Sequence, residues 1–166
     1  MKQLLQQYAA YNYWANQKIT NVVSGIDDEQ LHREIVSSFN SIYKTLVHYW
    51  GAESIWLLRM QEVSQKNIPA LSFAGTGAEL NDNIIAQSGL WKKWVHEITE
   101  EELLKNLSYK NLAGESFVQP VYILVNHVFN HSTYHRGQIV TMLRQVGVTT
   151  IPSTDFTTFT RLNIKD

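Results

Sequence analysis

Three of the chain's six histidines, His127, His131 and His135, stand at intervals of four. On an α-helix that interval puts them in one stripe, each ring about 40° round from the last and roughly 6 Å along the axis. Neighbouring rings at i and i+4 can close on one divalent cation at about 2.0–2.1 Å, with no distortion of the backbone. The chain must then fold so that a long helix presents one chemically active face.

The rest of the sequence carries the same period. Leu4, Leu5, Tyr8, Tyr11, Ala15, Ile19 and Val22 or Val23 predict a first helix of about six turns. Gly25 is placed to end it in a left-handed C-cap, and Ile26 to Leu31 reads as a short helical turn. Ile42, Leu46, Tyr49, Trp56 and Met60 predict a second helix from Ile42 to about Val63, stopped by Asn67 and Pro69. A third opens at Thr76-Gly77-Ala78-Glu79, in capping-box form, and should run to about His96. Ile98 to Leu103 then echoes Ile26 to Leu31, a weak repeat of two helix pairs. Residues 107–118 hold a Gly-centred turn between two stretches able to pair as a hairpin. Pro120 suits the first turn of the last long helix, and Gly147 suits its C-terminal cap. Four long helices with few strand signals predict an all-α four-helix bundle. It should be a single domain over 1–166, with a small hairpin between the third and fourth helices and the Ile151 to Leu162 tail packed outside.

Charge and composition narrow the chemistry. Fourteen Lys and Arg against fifteen Asp and Glu leave nothing to favour a phosphate backbone or an anionic bilayer, so neither nucleic acid nor membrane is expected as partner. No cysteine is present, which excludes disulfides, thiolate ligands and a Cys nucleophile. A metal must sit on His, Asp or Glu. No apolar run approaches the roughly 20 residues of a membrane span, and the N-terminus lacks a signal-peptide core, so a soluble cytoplasmic protein is expected.

A histidine on an apolar face is more often a hydrogen-bonded core residue than a ligand, so spacing alone leaves both readings of His131 and His135 open. Two ligands rarely make a tight site. His48 is the best-placed third, because Thr45, Gly51 and Ala52, one turn to either side, leave room above its ring. His127 competes, but it lies some 12 Å of rise from His135 and suits a core or supporting role better. His32 and His96 read as structural or surface residues. Ser132, rather than Glu, follows His131, which argues against a zinc peptidase. Arg136 should point away from the ion into an inter-helix or surface ion pair, and Gly137 should permit close helix packing. Gln138 is placed to hydrogen-bond a ligand imidazole or a substrate. Of Trp14, Trp50, Trp56, Trp91 and Trp94, most should pack the core while some line a pocket.

His131-Ser132-Thr133-Tyr134-His135-Arg136-Gly137-Gln138-Ile139, Leu46-Val47-His48 and Tyr13-Trp14-Ala15-Asn16 together resemble the DinB/YfiT-like family, damage-inducible proteins unrelated to the translesion polymerase of similar name. The resemblance covers nearly the whole chain. It implies a four-helix bundle with long crossover connections and one divalent metal. The family's three histidine ligands fall on His48, His131 and His135, with water in the open position.

The resemblance also implies thiol-dependent S-transferases and isomerases that use bacillithiol, mycothiol or glutathione. A three-His ion with an open position can bind such a thiol as thiolate and present it to an electrophile, so the leading expectation is a metal-dependent S-transferase. The alternatives are a metal-dependent hydrolase, with Glu53 or Tyr134 handling the proton, and a non-catalytic, stress-related metal-binding protein. Zinc or nickel is the expected ion. A small-molecule substrate and a homodimer complete the expected partners.

Overall fold

Side-chain oxygens fix where most of the helices begin. In a computed structural model describing residues 1–62, 68–111 and 113–162, the long helices are α1 (Lys2–Val23), α3 (Ile42–Met60), α4 (Gly77–Glu97) and α6 (Val121–Gln145). Ser41 caps α3 by accepting from the Lys44 amide. Thr76 and Glu79 form the capping box expected of α4, each side chain accepting from the other's amide. The echo between Ile26–Leu31 and Ile98–Leu103 becomes two five-residue helices, α2 (Asp28–His32) and α5 (Glu100–Leu104). Both start with capping boxes, Asp27 with Gln30 and Thr99 with Glu102. The expected helix limit at Val63 and the stop at Asn67 lie outside the described residues.

The long helices form a four-helix bundle in which α1 packs on α4 and α6, and α3 packs on the same two. Successive helices α1 and α3 therefore sit diagonally, as do α4 and α6, and the links between them cross over an end of the bundle. The first link carries α2. The second carries α5 and an antiparallel hairpin of β1 (Asn106–Lys110) and β2 (Ser116–Pro120), with Tyr109 opposite Phe117. Helix α7 (Phe156–Leu162) lies outside, where Phe156 and Phe159 pack tilted or edge-on against Tyr8, Tyr11 and Trp14 of α1. Among the described residues no helix is long and apolar enough to cross a membrane.

Two apolar clusters fill the bundle. One gathers Ile19, Leu46, Tyr49, Leu80, Ile139 and Met142, the other Leu5, Trp91, Val95, Val125 and Phe129. Between them each long helix turns polar: Asn12 and Asn16 on α1, Glu53 on α3, Ser88 on α4, Ser132 and Arg136 on α6, all buried. Burial in this layer is eased because the groups bond one another, although Nε of Arg136 is left without a partner among the described residues.

Four expectations about glycine and proline need correction or sharpening. Gly25 does not take a left-handed conformation; α1 ends at Ser24 in right-handed geometry. Pro120 ends β2 and serves as the N-cap of α6, one residue earlier than the first helical turn. Gly147, at φ +96°, ends α6 in a Schellman motif, its amide donating to Arg144 O and the Val148 amide to Leu143 O. Gly137 is exposed, and a Cβ there would meet nothing within 4 Å, so it does not serve helix packing. The two glycines should therefore respond oppositely to alanine. Gly147→Ala should lose roughly 1–2 kcal/mol to left-handed strain, whereas Gly137→Ala should gain about 0.5–1 kcal/mol of helix stability. Urea denaturation of both variants checks this, and a shift of the same sign in both would contradict it.

Candidate metal centre

His48 leaves α3 toward α6, and His131 and His135 leave α6 toward α3, one turn apart. Their rings converge: Nε2 of His48 lies 3.3 Å from Nε2 of His131, which lies 3.1 Å from Nε2 of His135. One ligand atom from each falls within 4.8 Å of the others, a group that could hold a metal ion. The cluster occupies the seam between α3 and α6 and is partly exposed, so it is not enclosed in the bundle interior.

The surroundings set the rings' protonation. Nδ1 of His135 is 2.7 Å from Oε1 of Gln138, an acceptor, so the ring carries its proton there and keeps the Nε2 lone pair for the cluster. Gln138 thus does what its position suggested, and its Nε2 donates to the Tyr134 hydroxyl at 3.1 Å. Phe39 stacks on His48 at 3.9 Å between centroids and meets His135 edge-on. Burial, helped by the neighbouring His135, holds His48 down at about 4, and burial, helped by His135, His48 and the more distant His127, does the same for His131. His135 is lowered by burial too, against the Gln138 hydrogen bond. All three rings are therefore neutral at pH 7, the form a metal needs.

These depressions have a consequence for stability. His48 and His131 titrate near 4 in the folded chain and near 6.5 when unfolded. Between those values the unfolded chain binds more protons, so stability falls as pH drops from about 6.5 toward 4 and is unaffected by these groups above 6.5. Melting of the metal-free protein across that window should show a shallower pH slope after His48→Gln and His131→Gln together. An unchanged slope would contradict the assignment.

The other expected residues lie elsewhere. His127 is exposed, with its pKa lowered by partial desolvation of its ring; it packs edge-on to Trp56 and stands apart from the group of three. His32 rests against Tyr43 outside the seam, and His96 is exposed at the end of α4. Glu53 faces away from the cluster in the buried polar layer, accepting from Asn12, Asn16, Ser88 and Ser132. Arg136 makes no ion pair among the described residues: 1 % exposed, it donates through Nη1 to Asn12 Oδ1 at 2.5 Å and Asn16 Oδ1 at 2.8 Å, and through Nη2 to Thr133 Oγ1. Two asparagine amides thus separate the carboxylate from the guanidinium. Neither Asn12 nor Ser88 stood out in the sequence, although an i, i+4 pair of Asn within an apolar stripe is a signal of a buried polar layer.

Beside His48 a cavity of about 700 Å³ runs along α3, walled by Val47, Gly51, Ala52, Ile55, Trp56 and Ile68. Gly51 and Ala52 supply the room above the imidazole that their size suggested, while Thr45 turns into the core and bonds Ser41 O. Trp50 and Trp91 are core residues, and Trp56 lines the cavity.

Comparison with known proteins places this arrangement. The DinB family model matches residues 1–166. The chain belongs to the DinB family. It is 33 % identical over 150 residues to Protein DinB of Bacillus subtilis strain 168, covering 86 % of each chain. Solved DinB-like structures share its fold: one from Bacillus cereus ATCC 10987 has a TM-score of 0.71 at 21 % identity, over 90 % of this chain and 94 % of that one. YfiT from Bacillus subtilis, described as a probable metal-dependent hydrolase with an unusual four-helix bundle topology, has a TM-score of 0.64 at 15 % identity, over 90 % and 91 %.

Proposed function

We propose that this DinB-family protein is a divalent-metal enzyme, with His48, His131 and His135 as ligands, that joins a low-molecular-weight thiol to a small electrophile. The spacing of the ring nitrogens carries the reading. Bonds of about 2.0–2.1 Å to a tetrahedral ion put ligand nitrogens about 3.3–3.4 Å apart, and the observed neighbours are 3.1 and 3.3 Å apart. Three neutral imidazoles suit zinc or nickel. When bound, such an ion supplies positive charge that favours thiolate over thiol near neutral pH.

The chain's own residues supply the rest. Gln138 fixes the His135 tautomer, and Phe39 braces the His48 ring. The apolar cavity walls beside His48 exclude competing water from the electrophile. Among the described residues no Asp or Glu lines the cavity or joins the cluster, so no carboxylate stands ready to take a proton from water. That favours a thiol, whose proton leaves easily, over hydrolysis.

Hydrolysis is the second reading, supported by the description of YfiT. With Glu53 enclosed by hydrogen bonds, Tyr134 would handle the proton; its ring lies against His135 and it is 60 % exposed. Elemental analysis of the purified protein, followed by rates with a small thiol and a soft electrophile, decides between them. Conjugation that requires metal and thiol together supports the transferase. Ester or amide cleavage that ignores thiol supports the hydrolase, and bound metal with neither activity supports a non-catalytic protein.

A further inference from the structure

Arg59 stands eleven residues after His48 on α3, about 20° past three full turns, so both face the cavity from one side of the helix. Their Cα atoms are roughly 16 Å apart along the axis. Arg59 is only 7 % exposed, and no carboxylate pairs with it among the described residues. Its Nη2 donates to Lys110 O at 2.7 Å, and its guanidinium lies 4.5 Å over the Trp56 ring and 5.3 Å from the centre of Tyr109. Its Nε is buried with no hydrogen-bond partner. A buried guanidinium donor without an acceptor costs free energy, and a planar fork with open N–H groups is the geometry that takes a carboxylate in two parallel bonds. The cavity wall between the His cluster and Arg59 is apolar, and its lining carries two cations, Lys44 and Arg59, with no acid among the described residues. Lys44, at the His48 end, is already held by Asn40 Oδ1 at 2.9 Å.

We propose that Arg59 forms an anion subsite at the far end of this cavity, binding the terminal carboxylate of an elongated, apolar substrate whose other end reaches His48. Trp56 and Tyr109 hold the guanidinium in place, and the terminal N–H groups not given to Lys110 O meet the carboxylate oxygens. The subsite needs only the cavity and Arg59. The placement of the substrate's reactive end at the cluster rests on the metal reading above.

Decanoate and 1-decanol, which share a chain and differ in charge, test the subsite by titration calorimetry with the quenching of tryptophan fluorescence as a second signal. The titrations use protein of measured metal content, both loaded and stripped. Decanoate should bind at least about tenfold tighter than decanol in both forms, as charge-assisted bonds predict. The ratio should fall to near one in Arg59→Gln and lie between in Arg59→Lys, which keeps the charge but loses the fork. Equal binding of the two probes by the unaltered protein overturns the proposal without any variant, so a variant that misfolds does not protect it. A preference seen only with metal loaded, or kept in a folded Arg59→Gln, overturns it too, since the carboxylate would then sit elsewhere. A preference that persists in protein unable to take up metal leaves the subsite standing and removes the metal reading alone.

Discussion

Replacing His131 with Ala should empty the metal centre, while His127→Gln should leave it filled. His131 is the middle ring of the cluster, its Nε2 within 3.3 Å of both the His48 and His135 nitrogens. Without it the remaining two rings offer two ligands on different helices, too few for a tight site. Metal content should fall from about one ion per chain to near zero, and metal-dependent conjugation should fall with it by several orders of magnitude. His127 is the matched control. It lies one turn before His131 on the same helix, is likewise an imidazole though a more exposed one, and rests on Trp56 outside the group of three. Elemental analysis after dialysis reads the result directly. Equal loss in the two variants would mean that the ligands are wrongly assigned.

The second large effect should come from a residue that touches no metal. Arg136→Met should destabilise the bundle by about 3–5 kcal/mol, because it removes one charge of a buried set and leaves the other behind. The carboxylate of Glu53, 1 % exposed, would keep its hydrogen bonds from Ser88 and Ser132. The Oδ1 atoms of Asn12 and Asn16, which accept from Arg136, would be left without their donor in the core. Pairing Arg136→Met with Glu53→Gln should cost less than the sum of the single losses, because the second change removes the stranded charge. Urea midpoints of the two single variants and the pair give the coupling. Strict additivity, or a loss below about 1 kcal/mol for Arg136→Met, would show that the layer does not act as a unit.

Much of this molecule could be read before folding it. The i, i+4 interval of His131 and His135, the Thr76 box and Gly147 each report a local rule, and each appears in the structure where its rule puts it. His48 is a longer reach, with α4, α5 and the hairpin between it and His131; the small residues beside it single it out, and the resemblance maps a ligand onto it. Arg136 is the opposite case. Its direction, about 100° from His135, was legible, but not what lies in that direction. Charge and length suggest the surface, and only the packing of α1 against α6 shows that two asparagines wait there instead. The hairpin strands were visible as a turn between pairing stretches, yet that their tip walls a cavity on α3 depends on the path of the crossover, which no local pattern encodes.

Helix α6 carries two pairs of side chains with the same four-residue interval, offset by one: His131 with His135, and Ser132 with Arg136. The first pair looks out onto the seam and the second into the polar layer, where Glu53 and the α1 asparagines grip it. Turning α6 about its axis by even a fraction of one residue's 100° would pull Ser132 and Arg136 off their partners. The inner pair therefore works as an index pin for the outer one. It sets the azimuth at which the imidazoles meet His48, so an ion bound as proposed would find its ligands already aimed, with no entropy lost in arranging them.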